Sequence, residues 1–255
     1  MIRAPLPEAF RRLPVAHRAL HDRAAGRIEN SPAAIAAAID AGYAIEIDLQ
    51  PAADGTPMVF HDDDLDRLTG ETGPIRARSV AELTALTLTG STDTIPTLAQ
   101  VLNKVAGQVP LLIEIKDQDG QMGGDTRGFE ARVAAVLAGY DGPVAVMSFN
   151  PQSVAAFAAA APTVPVGLTT GCYDPEHYAP LTPEVCARLR DIPDFDPALH
   201  SFISHEAIDL ARPRVAEIAA TGATILCWTI RSPQAEAQAR RIAHNITFEG
   251  YAAAL

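Results

Sequence analysis

Residues 44–62, AIEIDLQPAADGTPMVFHD, bring two carboxylates and an imidazole close together along the chain. Glu46 and Asp48 are two apart in the run AIEIDL, so on a strand they project from the same face. Asp54-Gly55 predicts a tight two-residue hairpin turn and MVFH the returning strand, which sets Asp48 opposite His61. The acids alternate with Ile45, Ile47 and Leu49, a strand apolar enough to be internal, where an unpaired carboxylate is costly. A half-buried hairpin with its polar face in water is the plainer reading; a reactive site is the sharper one.

Other strand ends carry matching chemistry. An apolar run ends in His17-Arg18, and LLIEIK (111–116) places Glu114 and Lys116 on one face. Glu46, Asp48 and Glu114 make an all-oxygen donor set, which suits a hard divalent cation, Mg²⁺ or Ca²⁺, rather than zinc. A buried ion-pair network with Arg18 and Lys116 is the structural alternative. His17 and His61 flank the acids, and an imidazole titrating near pH 6.5 can serve as general acid or base. Arg18 and Lys116 supply fixed positive charge for an anionic substrate such as phosphate. Trp228, the only tryptophan, stands near the end of ATILCWTI, where it either covers the carbon skeleton of a substrate or simply packs. His205 within SFISHEA reads as pocket or core, and His21 as an exposed loop residue.

These side chains need strands to aim them. Apolar runs at 13–18, 44–50, 109–116, 144–150, 165–170, 201–207, 223–230 and 245–251 alternate with helical runs, the pattern of βα units around a parallel sheet. Eight strands close a barrel, and 255 residues is an ordinary length for one (β/α)8 domain spanning 1–255. Ser31-Pro32, Asn150-Pro151 and Ser232-Pro233 mark helix starts, Thr97 with Gln100 a capping box, and Gly42, Gly107, Gly139 and Gly222 helix ends. Three connections exceed normal length: 62–96, with a short helix near SVAELTAL, the glycine-rich 117–128, and the proline-rich 171–200. Long connections after barrel strands build the active-site face, so these are candidate lids.

The formal net charge of −11, without a basic cluster, argues against nucleic acid as a partner. No run of 18 apolar residues predicts a membrane span, and MIRAPLPEAFRRLP lacks the apolar core of a secretory signal, so the expected location is cytoplasmic. Cys172, Cys186 and Cys227 have no metal-ligand spacing and read as reduced thiols. The partner these residues suggest is a small anionic molecule such as a phosphate, and oligomeric state is not encoded in any pattern found.

The segments AHR (16–18), IEN (28–30), EIDLQPAADGTPMVFHDDDLDRLT (46–69), IPTLAQVL (95–102), LLIEIK (111–116), SFN (148–150) and CWTI (227–230) together resemble the glycerophosphodiester phosphodiesterase family, in order and spacing. The resemblance implies a TIM barrel with a β-hairpin extension and a small insertion (62–96) after the second strand. It implies metal-dependent hydrolysis of glycerophosphodiesters to glycerol 3-phosphate and an alcohol. By the same resemblance, Glu46, Asp48 and Glu114 correspond to metal ligands, His17 and His61 to the acid and base, and Arg18 and Lys116 to phosphate contacts. Glu29 matches a family acid beside metal and substrate. The chain departs from the family pattern at Ala19, where glycine is usual, at Ile28, where proline is usual, and in its last strand, where TFEGYAAAL replaces Thr-Asp-x-Pro. Two competing readings are a cyclising lipid phosphodiesterase similar to sphingomyelinase D, which needs an apolar lip for lipid, and a non-catalytic phospho-ligand barrel, which would be expected to lose a histidine or a metal acid.

Overall fold

A computed structural model describes residues 3–255. Nine strands follow in chain order: β1 (Val15–Ala16), β2 (Ala44–Pro51), β3 (Pro57–Val59), β4 (Leu111–Ile115), β5 (Val144–Ser148), β6 (Val166–Thr170), β7 (His200–Glu206), β8 (Thr224–Ile230) and β9 (Asn245–Phe248). β1 pairs in parallel with both β2 and β9, which closes an eight-stranded parallel barrel; β3 lies outside it, antiparallel to the end of β2. All eight strands read from the sequence are therefore present, with helices between them, as in a TIM barrel.

The helices start where the capping chemistry put them. α2 (Pro32–Ala41) and the helices Pro151–Ala160 and Pro233–Ala239 each open on a proline behind a capping Ser31, Asn150 or Ser232 side chain. Reciprocal capping boxes begin α3 (Val80–Ala85) at Ser79 and Glu82, and α4 (Leu98–Val105) at Thr97 and Gln100. Each such cap contributes about 1 kcal/mol by satisfying amides that the first turn leaves free.

Alternation along the strands sorts the layers. Ile45, Ile47 and Leu49 of β2 and Ile113 of β4 join the outer core with Ile35 of α2 and Val101 of α4. The opposite faces point into the barrel. Toward its N-terminal end they are apolar: Val15, Ala44, Leu112, Ala145, Phe202 and Leu226 pack with Phe10 of α1 (Ala9–Arg12) and Leu13 as a plug. Two residues further along β2 and β4 the same inward parity gives Glu46, Asp48 and Glu114. A separate apolar cluster, including Met58, Phe60, Leu65, Leu68, Ile75, Leu83, Leu88 and Ile95, holds the insertion after β3 together.

One local expectation is overturned. The observed register pairs Leu49 with Val59 and Pro51 with Pro57, and Phe60 N–H donates to Asp48 O, so Asp48 faces Phe60 rather than His61. The loop is Ala53-Asp54-Gly55, closed by Gly55 N–H on Ala52 O with Gly55 at φ 82°. That is a three-residue loop with glycine in the left-handed position, not a two-residue turn. A one-residue slip of register exchanges the two faces of a strand. No helix among the described residues is long and apolar enough to cross a membrane.

Candidate active site

Three carboxylates form the floor of the site. β2 and β4 run in a register that sets Asp48 level with Glu114, with Glu46 one inward position below on β2. All three are buried, and each offers an oxygen within 4.8 Å of the others. Such crowding is unfavourable without positive charge. Burial, reinforced by Asp48 and Glu114, holds the Glu46 carboxyl well above the usual range, although Arg18 N–H donates to its Oε2 at 2.7 Å. Asp48 goes the other way: burial opposes its ionisation, but Lys116, His61 and Arg18 outweigh burial and hold it far below the usual range.

The expected cations sit on these acids. Lys116 Nζ lies 2.7 Å from Asp48 Oδ1 and 2.5 Å from Glu114 Oε1, and its pKa is raised because the two charges overcome its desolvation. Arg18 donates to Glu29 at 2.7 Å and approaches Asp48 at 3.7 Å. Asn30, from the same IEN segment, donates to Asp48 Oδ2 at 2.9 Å. In this arrangement the ion-pair network and the acid cluster are the same object. Its donor set is all oxygen, its oxygens converge, and an ammonium already lies between two of them, so the residues fit a hard divalent cation.

Each histidine is backed by a carboxylate. His17 follows directly on β1, and its Nδ1 lies 2.6 Å from Glu249 Oε2; burial lowers its pKa against the pull of that carboxylate. Glu249, one residue beyond β9, is held far below the usual range by hydrogen bonds from His17 and His21 and by Arg231. His61 leaves the hairpin arm after Phe60, and its Nδ1 lies 2.7 Å from Asp62 Oδ1. Arg67 then links the two flanks, bonding Asp62 through Nε at 2.6 Å and Glu29 through both terminal nitrogens at 2.8 Å. The Glu29 carboxyl, partly desolvated yet bonded by Arg67 and Arg18, is pulled down to about 2.

His17, Arg18, Glu46, Asp48, His61, Glu114, Lys116 and Trp228 all line one small deep cavity of about 60 Å³. Glu29 stands behind Arg18 rather than in that lining. Trp228 donates its indole N–H to Ser204 O at 3.0 Å and packs edge-on against Phe149, which also lines the cavity. A larger space of about 400 Å³ shares His61, Glu114, Lys116 and Phe149 with it and opens between Met122 of the 117–128 connection and His177 to Leu181 of the 171–200 connection. Those two connections therefore line its mouth. His205 is fully buried against Thr170 and belongs to the core. His21 is a quarter exposed and lies at the rim, 3.5 Å from Glu249.

Sequence reasoning missed Glu249, Asp62, Arg67 and Asn30. Glu249 was accessible to the same strand-tip rule that found Glu46 and Glu114, because it stands two residues after Thr247 at the end of NITFEGY.

Residues 17–246 match the sequence profile described as the Glycerophosphoryl diester phosphodiesterase family. A Bacillus subtilis (strain 168) protein, YhdW, whose name assigns it provisionally to the glycerophosphodiester phosphodiesterases, is 26% identical over 203 residues, 76% of each chain. A solved Oleispira antarctica phosphodiesterase, in complex with the product sn-glycerol-3-phosphate, superposes with a TM-score of 0.73 at 23% identity over 94% of both chains. A glycerophosphodiester phosphodiesterase from Agrobacterium tumefaciens str. C58 gives a TM-score of 0.66 at 22% identity over 92% of this chain and 94% of that one. At those identities the two superpositions bear on the fold.

Proposed function

The chain belongs to the glycerophosphoryl diester phosphodiesterase family and is a phosphodiesterase; from that premise we propose that it hydrolyses glycerophosphodiesters to glycerol 3-phosphate and an alcohol, with a divalent cation, Mg²⁺ or Ca²⁺, as cofactor. The observation that carries this reading is the convergence of Glu46, Asp48 and Glu114 in the same cavity as His17 and His61. The product bound to the Oleispira antarctica relative supports the identity of the retained half.

Glu46, Asp48 and Glu114 would hold the cation, and the chemistry it would supply is compensation of negative charge on the phosphate. Arg18 and Lys116 meet the anionic phosphate, and Glu29 keeps Arg18 extended. His17 and His61 divide the proton transfers. With Nδ1–H on Glu249 or Asp62, each ring keeps Nε2 available to accept or deliver a proton, as the imidazole of a hydrolytic triad does. Trp228 and Phe149 cover the carbon skeleton.

We take the first nucleophile to be the 2-hydroxyl of the glycerol moiety. Its oxygen bonds to phosphorus, its proton passes to one histidine, and the other histidine protonates the departing alkoxide as its bond to phosphorus breaks. Water then opens the cyclic phosphate. An internal nucleophile avoids a separate binding cost that reaches about 7–11 kcal/mol for well-oriented groups.

Incubation with several glycerophosphodiesters, with chelator or with each cation, should release glycerol 3-phosphate only when a cation is present. Undiminished release by stripped protein in excess chelator would remove the metal from the scheme. A 2-deoxy analogue that turns over normally would remove the cyclising route and leave the hydrolysis standing.

A further inference from the structure

The rim of the barrel between β1 and β9 carries a second set of metal-type ligands, distinct in chemistry from the three acids. His17 Nδ1 lies 2.6 Å and His21 Nε2 3.5 Å from the same oxygen, Glu249 Oε2, and the three ligand atoms fall within 4.8 Å of one another. The side chains are 15%, 26% and 20% exposed, so an ion can reach them from solvent. Arg231 engages the other carboxylate oxygen, Oε1, at 2.7 Å and is itself 66% exposed, which leaves Oε2 to the imidazoles and its own charge screened by water.

We propose that His17, His21 and Glu249 form a site for a borderline divalent ion such as Zn²⁺, and that its occupation silences the catalytic centre by taking His17 out of proton transfer. Two imidazoles and one carboxylate are the donor set that zinc accepts with an open fourth position. Ligand bonds of about 2.0–2.2 Å set tetrahedral donors roughly 3.3–3.5 Å apart. The His21–Glu249 separation is already of that size, and His17 has to withdraw by less than about 1 Å. The ion takes the place of the proton that His17 Nδ1 and Glu249 now share, and that proton goes to solvent. Hard cations prefer the all-oxygen set of Glu46, Asp48 and Glu114, whereas borderline ions prefer nitrogen. Two neighbouring sites would thus sort cations by softness, one supporting turnover and the other stopping it. Binding at the rim is independent of the functional reading above; the inhibition rests on it.

Co²⁺ reports nitrogen ligation and coordination number through its visible absorption, so it serves as probe with the oxygen set saturated by Mg²⁺. Wild-type protein should bind one Co²⁺ with an intense four- or five-coordinate band. Asp48→Asn should retain that band. His21→Ala and Glu249→Gln should each lose it, with affinity falling more than about tenfold. In the activity assay, Zn²⁺ should inhibit the Mg²⁺-supported wild-type reaction, and the inhibition curve of His21→Ala, each point taken relative to that variant's own uninhibited rate, should move at least about tenfold to higher concentration. A His21→Ala protein that binds Co²⁺ as wild type does, or a band lost in Asp48→Asn and kept in His21→Ala, overturns the site. Intact Co²⁺ binding in a protein that hydrolyses no glycerophosphodiester would sink the assigned reaction and leave the rim site in place.

Discussion

Lys116→Met tests whether the ammonium between Asp48 and Glu114 stands in for a cation. In the wild-type protein Lys116 Nζ contacts both carboxylates, and the side chains of Lys116, Asp48 and Glu114 are 16%, 2% and 7% exposed. Methionine fills much of the same volume but leaves Asp48 and Glu114 beside Glu46 with only Arg18 and His61 to offset their charge. Removing one partner from a buried pair costs about 3–5 kcal/mol, because the other is left buried and uncompensated. For a chain of this length 1 kcal/mol moves Tm by roughly 2–4 °C, so in chelator the variant should melt on the order of 10 °C lower. The lost charge can be returned from solution. A divalent ion at a hundredfold excess over its Kd stabilises by about 2.7 kcal/mol, so Mg²⁺ or Ca²⁺ should recover much of the deficit and bind more tightly than in wild type, where the ammonium competes. Thermal melts of both proteins across a cation titration measure all three quantities. A variant as stable as wild type in chelator, or one that divalent ions leave unchanged, would refute the argument.

Three further outcomes follow from the geometry. His17→Ala and His61→Ala should each lower kcat about 10²–10⁴-fold, and the double variant should lose much less than the product, because both act on one reaction coordinate; an unchanged rate for His61→Ala would exclude it from proton transfer. Glu46 is held above the ordinary carboxyl range by burial and by Asp48 and Glu114, so the folded protein keeps a proton that the unfolded chain has already released. Stability in chelator should therefore fall as pH rises from about 4.3, the unfolded value, through the folded one, and Glu46→Gln should flatten that slope; equal slopes in denaturant melts of the two proteins would contradict it. Ala19 occupies the left-handed region at φ 64°, where a Cβ costs roughly 1–2 kcal/mol, so Ala19→Gly should leave stability equal or slightly higher despite the added chain entropy. A clear loss in a denaturant melt would show that the methyl group's packing dominates.

The barrel strands were legible because inward and outward side chains differ in kind: Ile45, Ile47 and Leu49 against helices, Glu46 and Asp48 inside. Position along a strand was legible too, since Ala44 and Leu112 belong to the plug while Glu46 and Glu114, two residues on, belong to the site. The hairpin register was not. Asp-Gly suits a two-residue turn and equally the last two positions of a three-residue loop, and only the partners of Gly55 and Phe60 decide. His61 still reaches the acids, because the chain leaves the strand after Val59 and its direction no longer follows strand alternation. Glu249 escaped notice for a different reason. Its partner His17 lies 232 positions away in sequence, and only barrel closure through the two-residue β1 brings them together. Arg18 and Lys116, the two cations expected at the phosphate, pair with Glu29, Asp48 and Glu114, which is the ion-pair network that the sequence offered as the alternative.

The insertion after β3 owns a core apart from the barrel's, yet it carries His61, Asp62 and Arg67 into the heart of the chemistry. Small separate cores open at lower free-energy cost than the whole molecule does. Heat should accordingly find this segment first. If it loosens, Arg67 would release Glu29 and His61, to which proton transfer is assigned above, would drift, so turnover should stop while eight strands remain paired around their apolar plug. On that mechanism activity should fall below the melting temperature and return on cooling; activity that persists up to the global melt would contradict it.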